Sequence, residues 1–100
     1  MTVLESYIVK QTNKIAEEAG YLHRKVMYQN RNGAPDDWYF GQDGHLIIIE
    51  HKKPGEVPQP HQQREIDRLR ARGFNVYVVD DPAKARAIFA RNFQRGSDLA

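Results

Sequence analysis

From Thr2 to Ala19, apolar residues recur at Leu4, Ile8, Ile15 and Ala19, with Val9 and Ala16 beside them, the 3.6-residue period of an amphipathic helix. Thr2 occupies an N-cap place, Glu5 follows three residues later at capping-box spacing, and Gly20 suits the far end. The period then changes. Tyr21 to Tyr28 reads as a strand, and Asn30 to Gly33 carries turn residues. Trp38 to Phe40 and His45 to Lys52 are aromatic and β-branched, and the Gly-Gln-Asp-Gly stretch between them is a natural hairpin connection. Leu46 to Ile49 is apolar without interruption, which predicts a strand covered on both faces.

Pro54 to Pro60 holds three prolines and a glycine and reads as an exposed loop. His61 to Arg72 carries Ile66 and Leu69 among polar residues, a surface helix closed by Gly73. The stretch Phe74 to Asp80 is a further strand, and Asp81 before Pro82 starts a last helix that runs to about Phe93. The order helix, three strands, helix, strand, helix predicts an α/β sandwich with a mixed sheet flanked by helices. A single domain over residues 1–94 with a disordered tail at 95–100 accounts for the chain.

Composition narrows the chemistry. The chain has no cysteine, which excludes disulfides, thiolate catalysis and Cys-ligated zinc. Its longest apolar run is far short of the roughly 20 residues that cross a bilayer, so the expectation is a cytoplasmic protein without a membrane partner. Fifteen Lys and Arg against thirteen Asp and Glu is a weak excess. Distribution says more: Lys10, Lys14, Arg24, Lys25 and Arg31 crowd the first third, and Arg64, Arg68, Arg70 and Arg72 crowd one later segment, a pattern open to two readings, a track for a phosphate backbone or the solvated faces of helices and strands.

A hairpin centred between Gln42 and Asp43 pairs residues whose numbers sum to about 85 and sets Asp36 opposite about Ile49, one position from Glu50. Glu50 and Lys52 are two apart on a strand and leave the same face, while His51 points to the other and reads as a packed or hydrogen-bonded histidine. Asp36, Glu50 and the backbone carbonyl of His51 form an oxygen-rich set suited to Mg²⁺ or Mn²⁺. Lys52 supplies positive charge for a transition state. Asp37 is by composition as good a carboxylate as Asp36.

Pro35-Asp36 followed by Glu50-His51-Lys52 resembles the core of the PD-(D/E)xK nucleases, α-β-β-β-α-β with a further helix in this chain. A closer resemblance is to the VRR-NUC (virus-type replication-repair nuclease) branch of that superfamily, in its free-standing phage type. Its matching features are Gly33-x-Pro35-Asp36, the strand Ile47 to Lys53, Pro60-His61-Gln62, Leu69, Gly73 and the strand Val76 to Asp80. The resemblance implies a divalent-metal-dependent DNA endonuclease, with Asp36 and Glu50 as metal-binding acids, Lys52 as the catalytic lysine, and Gln62 as an orienting residue with Gln63 as its rival. Glu5 matches an acid of the first helix that reaches the metal, although the capping box explains it equally well. His51 departs from the aliphatic residue usual at that place. Lys53, Arg64, Arg68 and Arg31 are the candidate phosphate contacts. The resemblance further implies a homodimer acting on branched DNA, in Holliday junction resolution. Asp80 and Asp81 suggest a second metal site, against which Asp81-Pro82 is explained as a helix start.

Overall fold

The computed structural model describes residues 4–93. Thr2 and the tail expected at 95–100 lie outside them. Seven principal elements follow the predicted order: α1 (Glu5–Glu18), β1 (Leu22–Lys25), β2 (Asp37–Phe40), β3 (Leu46–His51), α2 (Pro60–Ala71), β4 (Asn75–Val79) and α3 (Pro82–Arg91). The strands form one sheet in the order β1-β2-β3-β4, antiparallel except for the parallel pair β3/β4, which α2 connects. A mixed sheet results because β1, β2 and β3 follow one another as antiparallel neighbours, through a long loop and then a short turn, whereas the parallel pair needs a crossover.

Period-two alternation sorts the apolar side chains of β3 to two cores. Ile47 and Ile49 pack with Ile8 and Ala16 of α1 and with Ala85, Ile88 and Phe89 of α3. Ile48 packs with Ile66 of α2, Val76 and Trp38 on the opposite face. The uninterrupted apolar run is thus a consequence of double coverage, as expected.

Three boundaries differ from the sequence pattern. Leu4, not Thr2, is the N-cap of α1, and no side chain caps it. Glu5 therefore lies in the first helical turn, where its negative charge meets the positive end of the helix dipole, and the expected Thr2–Glu5 capping box is not the helix boundary. The strand expected to Tyr28 pairs only through Lys25. Beyond it, Val26 N–H still donates to the Asp36 carbonyl at 2.9 Å before the chain turns, with Asn30 at φ 65°. Pro60, expected in the loop, opens α2, since a missing N–H costs nothing at the first helical position. Asp81 caps α3 as expected, accepting from Ala83 N–H at 2.8 Å.

Candidate active site

The hairpin register is shifted by one residue from what the turn alone predicts: Asp37 faces Ile49 and Trp38 faces Ile48, so paired numbers sum to 86. Extended by one residue, it sets Asp36 directly opposite Glu50 rather than Ile49. The shift arises because a short 3₁₀ turn, Gln42–Gly44, with Asp43 at φ 54°, replaces a symmetric two-residue loop. Residues paired across a sheet share a face, so Asp36, Glu50 and Lys52 all project on the α2 side.

Glu50 is the centre of this group and only 2% exposed. Its Oε2 accepts from Gln62 Nε2 at 3.3 Å and lies 3.7 Å from Lys52 Nζ, while its Oε1 is buried without a partner. Burial, and then the charge of Asp36, push the Glu50 pKa up to about 7; Lys52 opposes the rise and Glu5 adds to it. Asp36 is raised in the same direction, by burial first and by Asp37 second. Two carboxyl groups whose ionised forms are both disfavoured, one with an orphaned buried oxygen, match the chemistry of a cation site. Among the described residues no three His, Asp or Glu side chains gather as a ready-made metal cluster. The side-chain donors brought together are Asp36, Glu50 and the Gln62 amide, with Glu5 felt through its charge.

The rivals are separated by what they touch. Gln62 Oε1 accepts from Gln59 N–H at 2.8 Å in a reciprocal cap, which leaves its Nε2 aimed at Glu50. Gln63 instead donates along the helix to Asp67 at 2.9 Å. Asp37 lies on the far face of β2, 1% exposed, with Oδ1 2.6 Å from His23 Nε2 and Oδ2 2.8 Å from His51 Nδ1. Burial works to raise its pKa, but the hydrogen bonds to His51 and His23 outweigh that and hold it below the usual carboxylate range. His51 Nε2 is buried without a partner, so Asp37 is what holds this ring, through Nδ1. His51 thus points away from the site, as expected, and its partner is the residue that rivalled Asp36. The alternation rule applied to both strands at once would have found this pair.

Asp80, a candidate for a second metal site, is occupied otherwise: Oδ1 lies 2.6 Å from Lys84 Nζ and Oδ2 accepts from Gly55 N–H at 2.9 Å. Of the candidate phosphate contacts, Lys53 and Arg64 are exposed beside the site in sequence, and Arg31 and Arg68 meet at Glu65 of α2. Glu65 was not singled out by the sequence pattern, because a glutamate in a polar helix gives no sign that the fold will bury it.

A mixed four-stranded sheet between helices, with an acid leading the second strand and Glu-x-Lys ending the third, defines the PD-(D/E)xK nuclease class. Comparison with known proteins refines this. The chain is 38% identical over 77 residues to "Putative nuclease p44" of Acyrthosiphon pisum secondary endosymbiont phage 1, a match spanning 77% of this chain and 78% of the relative. A solved structure described as a VRR_NUC domain superposes with a TM-score of 0.82 at 34% identity, covering 86% of this chain and 94% of that one. No protein-family profile matches the chain. The chain belongs to the VRR-NUC family.

Proposed function

We propose that the protein is a divalent-metal-dependent DNA endonuclease that acts on branched DNA, such as four-way junctions, as a homodimer in the cytoplasm of its host cell. The observation that carries the hydrolytic reading is Glu50: a buried carboxylate flanked by Lys52 and Gln62, raised in pKa by Asp36, with one oxygen left unpaired. A group this costly to bury is retained where it has work to do.

Asp36, Glu50 and the His51 carbonyl are the residues that would hold Mg²⁺ or Mn²⁺. The chemistry such a cation supplies is neutralisation of phosphate charge and a lowered pKa for a water molecule. Lys52 supplies positive charge beside Glu50. Its backbone N–H donates to the Val79 carbonyl at 2.9 Å, so the ammonium swings from a fixed point and can follow charge that develops on the phosphate. Gln62 fixes the Glu50 carboxylate through Nε2 and, being capped itself, cannot drift from it.

Binding to DNA without sequence preference is supported by what α2 carries. Its arginines suit backbone phosphates, and backbone contacts read shape rather than sequence. Symmetric cutting of a two-fold junction needs two equivalent sites, which a homodimer provides. The test incubates the purified protein with Mg²⁺ or Mn²⁺ and labelled four-way junction, flap, single-stranded and linear duplex DNA, beside Lys52→Ala and Asp36→Ala. Cleavage of the junction in preference to linear duplex, lost in both variants, is expected. Cleavage of nothing by the unmodified protein, or undiminished cleavage by both variants, refutes the enzyme. Light scattering that reports a mass near 11.6 kDa at every concentration refutes the stable dimer.

A further inference from the structure

A second group of polar side chains lies beside Asp36, and the role of its carboxylate has not entered the chemistry described so far. Glu65 of α2 is 8% exposed. Its Oε2 accepts from the Tyr28 hydroxyl at 2.8 Å, and its Oε1 lies 3.5 Å from Arg31 Nη2 and 3.3 Å from Arg68 Nη1. The Arg31 guanidinium also sits 6.0 Å from the centroid of the Tyr28 ring. The loop that brings Tyr28 and Arg31 is pressed onto α2 at Gly33, where φ is +99° and an added Cβ would stand 3.3 Å from the His61 carbonyl oxygen. Within this β1–β2 connection lies a cavity of about 210 Å³, whose lining includes Tyr28, Arg31, Asn32 and, just before β2, Asp36.

The charges do not balance. A tie between loop and helix needs one cation for one carboxylate, yet two arginines share a single Glu65 oxygen. Their side chains remain 56% and 60% exposed, so most of their five N–H donors each face solvent. Tyr28, whose pKa burial and then Glu65 raise to about 12, stays a neutral donor and adds no negative charge. A surplus positive charge tethered to Glu65 therefore borders, at Arg31, a cavity that reaches Asp36.

We infer that Arg31 and Arg68, held in place by Tyr28 and Glu65, form a subsite for the DNA phosphate next to the one that is cut, with the cavity receiving its sugar. This rests on the nuclease reading and deepens it: Arg31 and Arg68 touch the substrate, and Glu65 is a positioning residue. Free surface arginines would lose side-chain entropy on gripping a phosphate, and arginines already fixed on a carboxylate lose less.

The two roles of Glu65 predict opposite signs. If the arginines act only through bulk charge, Glu65→Gln removes a negative charge and tightens DNA binding. If Glu65 positions them, Glu65→Gln weakens it. The probe is a fluorescein-labelled four-way junction, titrated by anisotropy in EDTA over a series of salt concentrations, so that no cleavage is needed. Expected are an affinity about 3-fold or more weaker for Glu65→Gln, and for Arg31→Ala a weaker affinity with a salt slope shallower by about one phosphate contact. Should Glu65→Gln melt too low to assay, Arg31→Ala, Arg68→Ala and Tyr28→Phe decide by slope and affinity. Unchanged slopes for both arginine variants, or binding by folded Glu65→Gln as tight as or tighter than the unmodified protein, overturns the subsite. Failure of the unmodified protein to cut any DNA refutes the nuclease reading through a separate assay.

Discussion

On the α2 face of the sheet, Asp36 and Glu50 have carboxyl pKa values pushed up; on the α1/α3 face, Asp37, the next residue in the chain, has its carboxyl held down. All three are largely removed from water. The difference is the partners. Asp37 meets an imidazole at each oxygen, whereas Glu50 meets another acid, a lysine 3.7 Å away and, at Oε1, nothing. Burial of a charge alone therefore does not mark a functional site in this fold. In the reading proposed above, incomplete compensation is what sets Glu50 apart, and one strand pair carries both kinds back to back.

The contrast breaks most sharply under mutation of the α2 face. Glu50→Gln should lower cleavage roughly 10²- to 10⁴-fold, the range for loss of an essential catalytic group, yet leave the melting temperature unchanged or higher, because a repelled buried charge has been removed. Thermal unfolding by circular dichroism beside a single-turnover assay measures both; a destabilised but active variant would reverse the assignment. Asp37→Asn should do the opposite to stability. It breaks two buried contacts and should cost on the order of 2–4 kcal/mol, read as a fall in denaturant midpoint at unchanged slope.

Next in size is the pH dependence of the metal-free protein. The folded-state pKa of Glu50, about 7, exceeds its ordinary value of 4.5, so between these values the folded state binds more protons than the unfolded one. Stability should then fall as pH rises across that window and level off above about 7. The depressed pKa of Asp37 contributes stability that is present above the ordinary carboxylate range and lost at lower pH, as the carboxyl is protonated. Melting temperatures in EDTA from pH 4.5 to 8 should show the Glu50 slope, and Glu50→Gln or millimolar Mg²⁺ should flatten it. A slope that survives the mutation would assign it to another group.

Much of the fold was legible because local signals agreed with it. The helical period of α1, the capped start of α3 and the doubly covered Leu46 to Ile49 run each depend on residues near in sequence. The division of Glu50 and Lys52 from His51 was legible for the same reason, since alternation along one strand is a local property. Three things were not. The exact hairpin register depended on the 3₁₀ turn, which Gly-Gln-Asp-Gly permits without dictating. The choice of Gln62 over Gln63 depended on where α2 begins, and Pro60 moved that start by one residue. The Glu65 cluster joins residues 34 and 37 positions apart, and no pattern within α2 reports such a pairing.

Lys52 lies one residue past β3, yet its N–H remains bound to Val79, and α2 begins with Gln59 and Gln62 locked to each other. Both ends of the loop between them are thus anchored independently of its middle, where Val57 is exposed, Glu56 closes a turn on Lys53 and Gly55 is tied back to Asp80. For descent with modification this is a seam. Each doubling of loop length costs only about 0.6 kcal/mol, so residues inserted between Glu56 and Val57 should leave the melting temperature within a few degrees of the parent's. The segment between them can therefore diverge in length and sequence while Lys52 and Gln62 on either side of it stay in place.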